Sequence, residues 1–272
     1  MLRQLEKRSL IVFGVTLFAS LVFARPGNQN RRPIVVAHRG ASHRAPENTL
    51  SSVEMAWEIG SSVEVDIRLT RDNRVVVIHD NNTKRTAGED RSIRQTTYRD
   101  LSRLDVGRFK GSAFRGERIP LLSEVLETLP RNRHILVEIK SDKKILPFLE
   151  RILNKSGKRH QVTLIGFSLD TMATAKDRFP DRPTYWLRGT RKDKKTGRRR
   201  RHSHKWIHLA KQNDLDGLDV HFAGVDKRFA DAVKAAGLDL YVWTVDRRET
   251  ATRLARYGVD GITTNRPGLF SD

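Results

Sequence analysis

What most constrains this chain is a rhythm: short apolar, β-branched runs separated by amphipathic stretches, repeated eight times. The runs fall at residues 34–38, 62–69, 134–140, 162–167, 183–187, 217–220, 240–244 and 261–264. Helical patterns lie between them at 49–59, 120–129, 144–154, 169–179, 204–212, 226–236 and 248–257. In the first of these Leu50, Val53 and Trp57 share one face, and Gly60 stops the pattern. Strands that alternate with helices pair in parallel, because each crossover returns the chain to the same end of the sheet. Eight such strands predict an α/β TIM (β/α)8 barrel. The open doubly wound sheet is the competing arrangement, but no Gly-rich fingerprint follows the first strand.

One stretch breaks the rhythm. Residues 75–80 form another strand pattern, yet only Arg71, Asp72, Asn73 and Arg74 separate it from Thr70. A link that short cannot bring a chain back for parallel pairing, so this run is expected to fold back as a hairpin. Pairing Thr70 with Val75 would set His79 opposite Asp66. Residues 81–118 then read as a small inserted subdomain after the second strand and its hairpin.

Composition sets outer limits. The 272 residues are 38% hydrophobic, enough for a packed core, and they include no cysteine. Disulfides, thiolate metal sites and a cysteine nucleophile are thereby excluded. Residues 1–24 open with Arg3, Lys7 and Arg8, continue as an uncharged apolar run from 10 to 24, and end at Ala24 before Arg25 and Pro26. That is the pattern of an export signal, with an uncleaved anchor as the other reading. It implies a periplasmic or extracellular location. Residues 25–272 match the ~250 residues of one barrel.

The net charge is +20. Much of it sits in segment 188–205, where ten Lys and Arg stand against Asp193 alone. A solvated loop is the plain reading of such a run. The sharper one is a tether, on the side where the strands end, for anionic lipid or a glycerophosphate polymer. No recognised nucleic-acid module accompanies it, so no specific nucleic acid is expected, and the sequence indicates no oligomeric state.

In such a barrel, chemistry gathers where strands end. His38 and Arg39 close the first strand; Glu64 and Asp66 share a face of the second, as do Glu138 and Lys140 of the third; His79 returns on the hairpin. Taken singly, each of these also reads as an ordinary surface pair or core histidine. Three carboxylates aimed at one place repel one another unless a cation compensates. An all-oxygen set suits one hard divalent cation, Mg²⁺ or Ca²⁺, better than zinc. Arg39 and Lys140 would add a phosphate site, and two imidazoles could move protons around it. The set reads as phosphodiester hydrolysis. Phe167, Ser168 and His221 also end strands and are expected at the pocket rim.

The motifs His38-Arg39-Gly40, Pro46-Glu47-Asn48-Thr49, Glu64-x-Asp66, Asp72 and His79-Asp80 resemble those of the glycerophosphodiester phosphodiesterases. So do Arg85-Thr86, Gly88, Leu101-x-x-Leu104-Asp105, Gly116-Glu117-x-Ile119-Pro120-x-Leu122, Glu138-x-Lys140 and Trp243-Thr244-Val245. The resemblance implies a metal held by Glu64, Asp66 and Glu138, and His38 and His79 as general acid and base. It also implies phosphate binding by Arg39 and Lys140, with Trp243 lining the pocket against glycerol. The expected reaction releases an alcohol and glycerol 3-phosphate. Two alternatives stand beside it: a phospholipase D-like lipid phosphodiesterase working through a cyclic phosphate, and a barrel that binds polyanions without turnover. Two departures from the pattern are Thr264-Asn265, where the family commonly has Thr-Asp, and a final helix that reads as truncated.

Overall fold

A computed structural model of the chain describes residues 32–270. The export-signal pattern at 1–24 lies outside them. The strands are β1 (Ile34–His38), β2 (Ser62–Leu69), β3 (Val75–Val77), β4 (Ile135–Ile139), β5 (Val162–Gly166), β6 (Thr184–Arg188), β7 (Gly217–His221), β8 (Asp239–Trp243) and β9 (Gly261–Thr264). Eight of them run parallel in the order β1-β2-β4-β5-β6-β7-β8-β9. Pairing of Ile34 with Gly261 through Ala37 with Thr264 joins the last to the first and closes a TIM barrel.

The helices are α1 (Leu50–Glu58), α2 (Lys84–Ala87), α3 (Tyr98–Leu101), α4 (Leu122–Thr128), α5 (Leu146–Ser156), α6 (Leu169–Arg178), α7 (Lys205–Gln212), α8 (Lys227–Ala235) and α9 (Arg248–Arg256). Side-chain caps set where several begin: Thr49 accepts from Ser52 N, Ser168 from Thr171 N and Asp226 from Phe229 N. Ser168, expected at the pocket rim, thus serves α6 as its cap. After β9 the described chain makes a single 3-10 turn, Pro267–Leu269. No helix among the described residues is long and apolar enough to cross a membrane.

Two apolar layers hold the barrel. The larger lies between sheet and helices and includes Val63, Val65, Val137, Leu164, Leu218 and Leu240 with Leu126, Leu149, Phe229 and Leu254. The smaller fills the interior with Val36, Leu136, Ile165, Tyr185, Leu187 and Tyr241. At its centre the Tyr185 and Tyr241 rings meet at 5.1 Å. Glycine makes room for them: a Cβ on Gly217 would lie 2.7 Å from the Tyr185 ring and 2.8 Å from the Asp239 carbonyl. Gly261 backs Tyr241 in the same way.

β3 pairs antiparallel with β2, as the short link requires, but the register differs by one residue from the expected one. Leu69 pairs with Val75 and Ile67 with Val77, so Asp66 faces Ile78 rather than His79. The cause is a tighter turn. Thr70 N donates to Arg74 O, Thr70 Oγ1 accepts from Arg74 N, and Asn73 takes a left-handed conformation at φ 59°. The segment 81–118 packs Ile93, Leu101, Leu104 and Val106 on Val76 and Ile78 of the hairpin.

Gly217→Ala overpacks the interior layer and should lower stability by roughly 1–3 kcal/mol. A urea denaturation midpoint unchanged from the parent would refute this account of the barrel floor.

Candidate active site

Strand register brings the chemistry together. His38 is paired with Glu64, and Asp66 with Glu138, so three neighbouring strands deliver their polar residues to one mouth. Arg39 then turns the chain with φ 57°, which points its N–H at Glu64 Oε2, 2.9 Å away. Gly40 follows at φ 77°, pressed against Ser52 of α1 where a Cβ would collide.

Glu64, Asp66 and Glu138 are all buried and each offers an oxygen within 4.8 Å of the others. Glu64 Oε1 and Asp66 Oδ1 have no hydrogen-bond partner, and Glu138 Oε1 has the Lys140 ammonium at 2.9 Å. Burial, then the charges of Asp66 and Glu138, push Glu64 well above the carboxylate range. Burial and Asp66 push Glu138 up to about 7 against the pull of Lys140. For Asp66 burial acts upward too, but Arg39, Lys140 and His79 outweigh it and hold the group low. A cluster with this much unsatisfied oxygen and mutual repulsion is stable in ionised form only around a cation. Its all-oxygen donor set fits a hard divalent ion.

Asp66 is also held by a residue the sequence reading gave no role. Asn48, buried with φ 59°, donates to Asp66 Oδ2 at 2.8 Å and accepts from Asp66 N at 3.1 Å. Its place in the Pro46-Glu47-Asn48-Thr49 motif was the available signal.

His79 lies past the end of β3 and still reaches the mouth, with Nε2 3.1 Å from Lys140 Nζ. Its Nδ1 is 2.7 Å from Asp80 Oδ1. A protonated lysine donates to Nε2, so the proton of the neutral ring sits on Nδ1 and faces Asp80. Asp80 in turn accepts from Arg85 of α2, Arg85 clamps Glu47 with both terminal nitrogens, and Glu47 accepts from Arg39 at 2.9 Å. Arg39 Nε stands 3.3 Å from Asp66. One chain of alternating charges therefore links the inserted segment, His79 and the carboxylates. Glu47, Asp80 and Arg85 belong to the motifs read above, but their partnership spans up to 38 residues and is not legible in spacing.

His38 is set by a different device. Asn265 Nδ2 and backbone N both donate to the carboxylate of Asp246, which fixes the amide with its oxygen toward the ring. Asn265 Oδ1 is 2.8 Å from His38 Nδ1, so that nitrogen is the donor. Nε2 carries the lone pair and faces Glu64 Oε2 at 3.9 Å. Asn265 thus orients the imidazole without bringing charge. Burial, and then Arg39, lower the His38 pKa; burial also lowers that of His79.

An apolar wall stands on the far side. Trp243 meets Phe167 edge-on at 5.8 Å and His221 at 5.2 Å, and Lys140 lies 5.8 Å above the Phe167 ring. An open hollow of about 460 Å³ adjoins His79, Lys140 and Arg68. Beneath lies Asp219 on β7, fully buried, with one oxygen unpartnered; burial first, then Glu138, push its carboxyl well above the usual range. A lone acid on an inward-facing strand position was its only signal.

Two expectations follow. Asp246→Ala frees the Asn265 amide and should reduce kcat about tenfold or more, within what an oriented imidazole contributes; an unchanged kcat would remove Asp246 from the site. Asp219 is neutral when folded and prefers ionisation when unfolded, so stability falls as pH rises above the unfolded value near ~3.9. Asp219→Asn should therefore raise the urea midpoint at pH 7, with the gain shrinking toward pH 4. A gain independent of pH would contradict a neutral Asp219.

Comparison with known proteins agrees with this geometry. The glycerophosphodiester phosphodiesterase of Caldanaerobacter subterraneus is 31% identical over 242 residues, covering 87% of this chain and 95% of the relative. A phosphodiesterase from Oleispira antarctica, solved in complex with the product sn-glycerol-3-phosphate, superposes with a TM-score of 0.79 at 26% identity, covering 87% and 94% of the two chains. The glycerophosphodiester phosphodiesterase of Thermotoga maritima gives 0.69 at 27% identity, covering 88% and 97%. The model of the glycerophosphoryl diester phosphodiesterase family matches residues 38–269. A family match that runs from the first strand's closing histidine to the last described turn, together with a relative 31% identical over nearly its whole length, places this chain in the glycerophosphoryl diester phosphodiesterase family.

Proposed function

We propose that the chain hydrolyses glycerophosphodiesters to an alcohol and glycerol 3-phosphate by a divalent-cation-dependent, histidine acid/base mechanism. The observation that carries this is the meeting of three buried, mutually repelling carboxylates with two differently anchored imidazoles and two cations at one barrel mouth. The product bound in the Oleispira antarctica relative supports the same substrate class.

Glu64, Asp66 and Glu138 would hold the ion, Mg²⁺ or Ca²⁺. When bound, such an ion supplies charge stabilisation for a phosphoryl oxygen. The chain's own groups do the rest. Arg39 and Lys140 neutralise the other phosphoryl oxygens, Lys140 exchanging its contact with His79 Nε2 for the substrate. His79 Nε2, released by that exchange, takes a proton from the attacking water, and Asp80 on Nδ1 stabilises the imidazolium that forms. His38 has a neutral partner on Nδ1, and its burial lowers the pKa and so makes the protonated form a ready donor. It delivers a proton to the departing alkoxide as the phosphorus–oxygen bond breaks. Trp243 would face the glycerol moiety. The basic start and apolar run of residues 1–24 support action outside the cytoplasm, and the cationic segment 188–205 supports a substrate supply carried on anionic lipid or a glycerophosphate polymer.

His38→Ala and His79→Ala should each lower turnover of glycerophosphocholine by ~10²–10⁴, with thermal midpoints near the parent's. Chelation should abolish turnover, and added Mg²⁺ or Ca²⁺ restore it. Wild-type rates in both variants, or full activity in chelator, would end this mechanism.

A further inference from the structure

Segment 188–205 is built more firmly than a solvated charge run needs to be. Its base is pinned: the Arg188 guanidinium lies 4.5 Å from the rings of both Trp186 and Trp206. His202 is buried against Trp206 and Phe229, with Nε2 2.8 Å from the His221 carbonyl. Beyond that base the chain doubles back as a ribbon, with Asp193 N donating to Arg198 O and Arg200 N to Arg191 O. The single acid, Asp193, is used inside the turn: one oxygen accepts from Lys195 N and Thr196 N, and the other from Arg200. Arg191, Lys192, Lys194, Lys195 and Arg198 are exposed and make no ion pair among the described residues.

The ribbon follows β6, so it rises from the mouth. Its far end is tied to the loop after β7, where His202 N donates to Gly224 O at 3.0 Å, and the neighbouring His221 packs on Trp243 of the pocket wall. β1 lies four strands from β6 in either direction around the ring. On that opposite side the inserted segment leans on the loop after β1, where Lys110 Nζ donates to Ser42 O at 2.6 Å. The neighbouring Phe109 is 45% exposed. A cationic ribbon on one side of the mouth and a bare aromatic on the other together define a face.

We propose that this face docks on an anionic lipid surface, the ribbon engaging headgroup phosphates and Phe109 entering the interface, so that the mouth opens toward the membrane. The inference rests on the diesterase reading for what the mouth does, but the docking itself is independent of turnover. Phe109 is what favours lipid over a soluble polyanion, since an exposed phenyl ring gains at a bilayer interface and gains nothing along a hydrated polymer. Each cation near a charged bilayer contributes on the order of fivefold in partitioning.

The test compares the full chain with two variants, so that residues 1–31 are common to all. One carries Lys192→Ser, Lys194→Ser, Lys195→Ser and Arg198→Ser together; the other carries Phe109→Ser. Co-sedimentation is measured with phosphatidylglycerol-containing vesicles, pure phosphatidylcholine vesicles and soluble poly(glycerol phosphate), and glycerophosphocholine turnover is measured in free solution. Expected are binding to the anionic vesicles only, at least tenfold weaker in the fourfold variant and severalfold weaker in Phe109→Ser, with solution turnover and thermal midpoint unchanged in both. Absence of binding to anionic vesicles, or undiminished binding in the fourfold variant, would overturn the proposal. Polymer binding that exceeds vesicle binding and ignores Phe109→Ser would overturn it in favour of a soluble polyanion. A parent chain that binds vesicles but turns over no glycerophosphodiester would instead remove the diesterase reading and leave the docking intact.

Discussion

Mutual repulsion among Glu64, Asp66 and Glu138 is the constraint around which the mouth is organised. Parallel pairing forces the issue, because Asp66 and Glu138 are registered side by side and Glu64 sits two residues below Asp66 on the same face. Nothing in the packing of a barrel requires charges there, and the apolar layer underneath offers them no solvent. The surrounding cations answer that strain selectively. Arg39 and Lys140 converge on Asp66 and leave Glu64 with a single backbone donor, so the three acids differ in how readily they ionise. That inequality limits the repulsion the folded mouth has to bear.

The two histidines are anchored by opposite means. His79 leans on a carboxylate that is itself held by Arg85, a residue of the inserted segment. His38 leans on an amide that Asp246 has turned into position. Each partner accepts from Nδ1 and so fixes the tautomer, but the carboxylate brings a negative charge to its ring and the amide does not. The insertion is therefore tied to the candidate site through Arg85 and to the mouth's rim through Lys110.

Much of this was legible from residue order. β1, β2 and β9 fall where the β-branched runs predict, with Val63, Val65 and Ile67 alternating with the polar residues of β2. The meeting of His38, Arg39, Glu64, Asp66, Glu138 and Lys140 follows from strand ends once the barrel is accepted, whereas His79 reaches the mouth from beyond the end of β3 in a register the loop length did not predict. What escaped was side-chain hydrogen bonding. The Thr70 hydroxyl and the left-handed Asn73 shorten the hairpin turn, which loop length by itself cannot reveal. Asn48, Asp246 and Asp219 escaped for a related reason: their significance lies in partners distant along the chain or beneath the pocket. The departure at Asn265 is visible in sequence, whereas its use as a neutral orienting group becomes readable only with Asp246 behind it.

The tyrosine pair at the barrel floor has a consequence for traffic. With Tyr185 and Tyr241 filling the lower bore and glycines fitted to their backs, the bore is a blind well rather than a conduit. Solvent, ion, diester and both products must share the same doorway, in sequence, and the residence time of whatever leaves last limits how soon the next molecule can enter.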